Sequence, residues 1–134
     1  MSDREAIVDV ITHLFVGTDD RDWERVKRCF CDQVVFDMTS LGGGTPETKT
    51  PQQIVDGWDV GLRGIDAIHH QAGNYLVEVS GAEATAFCYG VAYHHRKGQP
   101  TRMFVGSYDF HFTRTEGWRI DRFAFRVKFV EPPL

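Results

Sequence analysis

Six histidines and a scatter of carboxylates interrupt an otherwise apolar, aromatic-rich chain. Two of the histidines, His69 and His70, stand side by side in "IDAIHHQAGN", ahead of a run that reads as a β-strand. Neighbours on a strand point to opposite faces, so only one of the two can look into a given cavity. His94 and His95 end a second strand-like run, and Ser107, Asp109 and His111 alternate along a third. Asp19 and Asp20 fall at the junction of two predicted helices. A histidine within reach of a carboxylate is a usable general base. The carboxylate fixes the ring tautomer and stabilises the imidazolium formed on proton abstraction. Metal chemistry fits less well. Adjacent strand histidines diverge, and neither H-x-H nor H-E-x-x-H occurs. No metal and no cofactor are expected.

Strand alternation sorts these residues. His70, Ala72 and Asn74 share one face, with His69, Gln71 and Gly73 opposite. His94 shares its face with Gly90 and Ala92, whose small side chains leave room for a pocket; His95 joins the bulky Tyr89, Val91 and Tyr93. Polar residues in apolar strands are the informative ones. Ser107, Asp109 and His111 share one face of their strand, with Tyr108, Phe110 and Phe112 on the other. Only one of His69 and His70 can face the cavity, and alternation alone leaves the choice open; a bulge at Gly73 would exchange the two faces.

The elements that must hold these groups follow from periodicity. Ala6, Ile7, Val10, Ile11, Leu14 and Phe15 give one apolar stripe of a helix ending near Gly17. "DDRDWERVKRCF" reads as a second short helix and "QVVFDM" as a strand. "TSLGGGTPETKT" reads as a loop; no G-K-[ST] follows its glycines, so a phosphate cradle is not expected. Thr50, Pro51 and Gln53 open a third helix as N-cap, first-turn proline and capping-box partner. From Ala67 onward four long segments rich in β-branched and aromatic residues are separated by Ser80-Gly81, Lys97-Gly98 and Glu116-Gly117. Such short connections imply antiparallel hairpins. The expected class is α+β. Three N-terminal helices would pack against a curved, mostly antiparallel sheet, forming a cone-shaped half-open barrel whose mouth is a natural ligand site. The length fits one domain over residues 1–134.

Charge narrows the partners. The net charge is −4 with no basic block, so a phosphate-backbone partner is not expected. No apolar run approaches a membrane span, and "MSDREAIVDV" lacks a signal-peptide core, so a cytoplasmic protein is expected. The three cysteines, Cys29, Cys31 and Cys88, are expected to be reduced.

With these elements in order, the chain resembles the NTF2-like superfamily, and more narrowly the SnoaL-like group that includes scytalone dehydratase. Three stretches carry the resemblance: "TDDRDWERVKRCFCDQVVFDMTS", "IHHQAGNYLVEVSG" and "FTRTEGWRIDRF". It implies a catalytic carboxylate at Asp19, a histidine base at His70 with Asn74 four residues on, and a second pocket histidine at His94. It also implies pocket polar groups at Ser107 and Asp109. His69 is then expected on the outer side or over the strand's entry, unless a bulge at Gly73 moves the role to it. Thr18 and Met38 stand where the dehydratase has two tyrosines, and neither can replace a phenol as an acid. Phe36, Met38, Trp58, Phe123 and Phe125, with His69, complete the expected substrate-binding set.

The implied activity is that of a cofactor-independent lyase or isomerase. Its substrate would be a small, mostly apolar carbonyl or cyclic molecule that loses a proton to a His–Asp pair. Fold alone does not license an enzyme. A non-catalytic binding module, or a small assembly subunit of a ring-hydroxylating oxygenase, are the alternatives. A homodimer is expected through an outer sheet face of Tyr89, Val91, Tyr93, Tyr108, Phe110 and Phe112.

Overall fold

Two capping boxes start the two long helices. Ser2 accepts from the Glu5 amide while the Glu5 carboxylate reaches back to the Ser2 amide, opening α1 (Asp3–Asp19). Thr50 and Gln53 do the same for a later helix, Pro51–Gly61, with proline in its first turn. These devices satisfy amide donors that the helix itself leaves unpaired. The computed structural model describes all residues, 1–134.

After α1 come α2 (Trp23–Lys27) and β1 (Phe30–Asp37). The stretch expected as loop holds two short elements instead, a single-turn helix α3 (Thr39–Gly42) and a strand β2 (Glu47–Lys49). β2 pairs antiparallel with β1, with Val34 opposite Lys49. The helix at Pro51–Gly61 is therefore α4, the fourth rather than the third. The meander follows as β3 (Ala67–Ser80), β4 (Glu83–His95), β5 (Arg102–Arg114) and β6 (Trp118–Glu131).

One six-stranded sheet results, in the order β2-β1-β6-β5-β4-β3. Only the β1–β6 pairing is parallel; the others are antiparallel. The sheet is curved and does not close. Its register slips between Gly73 and Leu76, between Val105 and Gly106, and between His111 and Phe112. Each slip bends a strand and increases its twist. The helices lie in the resulting concavity. Ile7, Ile11, Leu14 and Phe15 of α1 and Ile54 and Val55 of α4 share a core with Tyr108, Phe110, Phe112, Phe123 and Phe125 of the sheet.

That core reverses the faces expected for β5. Register pairs Cys88 with Tyr108 and Ala92 with Phe104, so Phe104, Tyr108, Phe110 and Phe112 line the concave side. Ser107, Asp109 and His111 point outward. The physical reason is the helix layer: the concave face must supply apolar surface for α1, and only the aromatic set can. Tyr108, Phe110 and Phe112 are accordingly no part of any outer apolar patch.

Candidate active site

The end of α1 is placed by its neighbours. Gly17 lets α2 approach closely; a Cβ there would sit 3.0 Å from Val26 Cγ2. Arg21, just past the helix, donates to the carbonyls of Leu62 (3.1 Å) and Ile65 (2.6 Å), tying the junction to the α4–β3 connection. Asp19, in the last turn, thereby faces the start of β3.

Both oxygens of Asp19 bind His70. Oδ2 accepts from the His70 backbone amide at 2.8 Å, and Oδ1 lies 2.6 Å from Nδ1 of the ring. A carboxylate can only accept, so Nδ1 carries the proton. That leaves Nε2 as the ring's free nitrogen. The Phe15 ring stacks on the imidazole at 5.1 Å with 9° between planes, so both the rotation and the tilt of His70 are fixed. The pair is largely shielded, with side-chain exposures of 13% and 15%.

His70 lines a chamber of about 130 Å³ together with Thr18, Met38, Leu41, Leu62, Ala92, His94, Phe104, Tyr108 and Phe125. His94 lies against Phe104, with ring centroids 4.8 Å apart. Burial, then the neighbouring His70, Arg102 and Arg96, push the His94 pKa down to about 4. It is a neutral imidazole near pH 7, able to accept or donate one hydrogen bond. Thr18 offers no free donor, because its hydroxyl is buried and donates to the Leu14 carbonyl at 2.7 Å.

The chamber holds one polar group expected on the outer face. Tyr108 is 5% exposed and packs among Phe15, Phe123 and Phe125, with centroids 4.8–5.7 Å away. Burial raises its pKa far above the ordinary phenol value, and the nearby Cys88 and Asp19 raise it further. The phenol therefore stays protonated and available as a donor. Its ring occupies space left by Gly90, where a Cβ would lie 2.2 Å from Tyr108 Cε2. Gly90 was the legible signal: a glycine inside a strand often marks a close approach from the next one.

Other expected site residues lie elsewhere. The β3 irregularity places Asn74 and Tyr75 across from a single β4 residue, and Asn74 takes a left-handed φ of 58° and is exposed. Tyr75 turns inward in its place, so Asn74 is not a pocket residue. The slip comes after His70 and leaves His70 facing inward. His69 points outward and lies beside Tyr93, 6.2 Å between rings. Ser107 is on the outer face, and so is Asp109, where its carboxylate accepts from Arg126 Nε at 2.8 Å. Phe36, Trp58 and Phe123 form an aromatic cluster beside the chamber rather than its wall. Phe36 and Phe123 stack at 5.4 Å, and Trp58 meets Phe123 edge-on. Met38 and Phe125 do line the chamber.

No group of three or more His, Cys, Asp or Glu side chains is arranged to hold a metal ion. All three cysteines are free thiols, and no helix is long and apolar enough to cross a membrane.

Solved structures share this architecture. Kfla4162 from Kribbella flavida superposes with a TM-score of 0.92 at 22% identity, over 97% of this chain and 93% of its own. A LinA-type3 hexachlorocyclohexane dehydrochlorinase from Novosphingobium barchaimii superposes with a TM-score of 0.82 at 19% identity, over 96% and 88%. A candidate scytalone dehydratase from Novosphingobium aromaticivorans gives 0.80 at 17% identity, over 95% and 85%. At such identities the likeness is one of fold. No curated protein matches the chain. The model of the SnoaL-like domain matches residues 1–124, nearly the whole α-plus-curved-sheet unit that carries Asp19, His70 and Tyr108, and the chain belongs to that family.

Proposed function

We propose that the protein is a lyase or isomerase that acts without a cofactor on a small carbonyl compound with a mostly apolar ring. The observation that carries this reading is the two-point grip of Asp19 on His70, which leaves Nε2 free at the chamber wall. In the proposed step Nε2 takes a proton from the carbon next to the carbonyl. The electron pair moves into the carbonyl, forming an enolate, and Asp19 stabilises the imidazolium. The Tyr108 hydroxyl donates to the enolate oxygen. In a dehydration the enolate collapses, the β-hydroxyl leaves, and the imidazolium proton completes the departing water. In an isomerisation the same proton returns to the γ-carbon. His94, held neutral, orients the leaving group or the ring.

The chamber's size supports a single ring. An apolar cavity of roughly 150 Å³ accommodates benzene, and this chamber measures about 130 Å³.

The test is deuterium exchange. Cyclic enones and β-hydroxy ketones are incubated with the protein in D₂O and followed by NMR. Wild type is expected to exchange the acidic C–H or to form product, and His70→Ala and Asp19→Asn to lose at least about 10²-fold of that rate. Exchange that is absent, or untouched by both substitutions, defeats the reading. Thr18 and Met38, which bring no free acid to the chamber, favour one second reading, a carrier that binds such a ligand unchanged. It predicts binding without exchange.

A further inference from the structure

A second cavity adjoins the chamber. It measures about 270 Å³ and shares His94 and Phe104 as walls with the inner one. Its character is different. Arg96, Arg102 and Gln99 line it, together with Gly61 at the end of α4 and Ile65 of the α4–β3 connection. No carboxylate lines it. This is notable in a chain with 19 acidic and 15 basic residues, because a cation on an acidic protein usually finds a carboxylate. Neither arginine is in an ion pair. Arg102 is oriented by uncharged partners instead: Nε and one terminal nitrogen donate to the carbonyls of Pro132 (3.2 Å) and Pro133 (3.3 Å). That hold leaves Nη1 unused and the positive charge uncompensated.

We propose that this outer cavity is an anion subsite, and that the ligand is an amphipathic acid. Its ring fills the inner chamber beneath Tyr108, and its carboxylate sits between Arg96 and Arg102. The inference deepens the proposed reaction by naming the substrate class: a ring carbonyl compound bearing a carboxylate on a short tether. The reasons are physical. The inner chamber, about 130 Å³, suits one ring, and the outer cavity beyond the shared His94 and Phe104 gives a tethered group room to extend. A guanidinium offers paired donors matched to a carboxylate. His94, at the boundary, is held neutral by burial and by these same arginines, so it adds no charge of its own and can hydrogen-bond across the junction. Against the net negative charge of the chain, the local positive charge at this mouth draws an anion toward it.

The test is equilibrium binding with two probes of one shape, 3-phenylpropanoate and 3-phenylpropanamide, measured by calorimetry. The carboxylate is expected to bind about tenfold more tightly, the difference that a charge-assisted hydrogen bond supplies. Arg96→Gln and Arg102→Gln should each remove most of that preference and leave amide binding unchanged. Arg96 is exposed and makes no side-chain contact that folding needs, so its variant separates ligand recognition from stability. Added salt should weaken the carboxylate alone. Equal affinity for the two probes, a preference that survives both substitutions, or no binding of either at millimolar concentration overturns the subsite. Binding does not depend on turnover. Selective carboxylate binding without exchange at carbon would therefore defeat the proposed reaction alone, and exchange without carboxylate preference would defeat the subsite alone.

Discussion

Asp19 holds His70 at two points, through the ring Nδ1 at 2.6 Å and through the backbone amide at 2.8 Å. The two contacts have different consequences. The ring contact sets the tautomer and would stabilise the imidazolium. The amide contact anchors the start of β3 to the end of α1. Asp19→Asn is therefore expected to weaken function more than structure. The one amide oxygen can accept from only one of the two donors; when it keeps the His70 backbone amide, the NH₂ faces Nδ1 and cannot accept from it, so the competent tautomer is lost. A fall of about 10²–10⁴-fold in turnover is expected, with the thermal midpoint lowered by only a few degrees. Circular dichroism melts alongside exchange rates check both halves. Equal loss of fold and activity would make the contact structural.

Tyr108 and Gly90 form a matched pair across β5 and β4, a phenol and the gap that admits it. Tyr108→Phe keeps the packing among Phe15, Phe123 and Phe125 and deletes only the hydroxyl. Turnover should fall about 10²-fold, in the range for one oxyanion donor, with KM little changed. Gly90→Ala acts from the other side. The new methyl carbon would collide with the ring at 2.2 Å, and the repacking should cost about 1–3 kcal/mol in urea unfolding. In a Tyr108→Leu background the same alanine should cost much less. Additive costs in the double variant would show that the two positions do not meet.

The sequence carried the elements well and the faces unevenly. The capping box at Thr50 and Gln53, the glycine turns and the β4 alternation of Gly90 and Ala92 against Tyr89, Val91 and Tyr93 are all local, and all are realised in the structure. β5 was harder. Ser107, Asp109 and His111 alternate with Tyr108, Phe110 and Phe112, and the resemblance implies pocket groups at Ser107 and Asp109. The concave face must also receive α1, so the aromatic set goes inside. Which side of a strand the helices cover is a tertiary fact with no local signature. The β3 slip is similar. Gly73 hinted at an irregularity, but its position after His70, which turns Asn74 outward and spares the histidine, depends on pairing with β4. The Asp19–His70 contact joins residues 51 apart, and the resemblance implied it where spacing could not.

His94 predicts a pH dependence of stability. Its pKa falls from 6.5 to about 4 in the folded protein. Between those values the unfolded chain binds a proton that the folded chain refuses. Stability linked to His94 is thus full above pH 6.5, declines as pH falls, and is lost by about pH 4. Solvent reaching the cavity junction screens the effect, so a contribution of about 1–2 kcal/mol is expected. Urea unfolding of wild type and His94→Gln at pH 7, 5.5 and 4.5 isolates it. The gap between the two proteins should close as the pH drops. A constant gap would mean that His94 titrates normally.

The outer face of the sheet predicts a homodimer. Leu76, Tyr89 and Phe129 remain 68%, 46% and 48% exposed. Leu76 pairs with Phe87 across β3–β4, while Val105 links Val91 of β4 to Phe129 of β6. These residues form a band across four strands on the side no helix covers. Lys128 Nζ sits 4.0 Å over the Tyr89 ring at the edge of this band; exposed apolar side chains grouped on one face mark an interaction surface, and a two-fold contact with a second copy would cover them. Light scattering at micromolar concentration should give twice the chain mass. Tyr89→Glu and Leu76→Glu together should give monomers that retain the fold, because neither side chain enters the core. A wild type that is monomeric under those conditions would show that the band has another use.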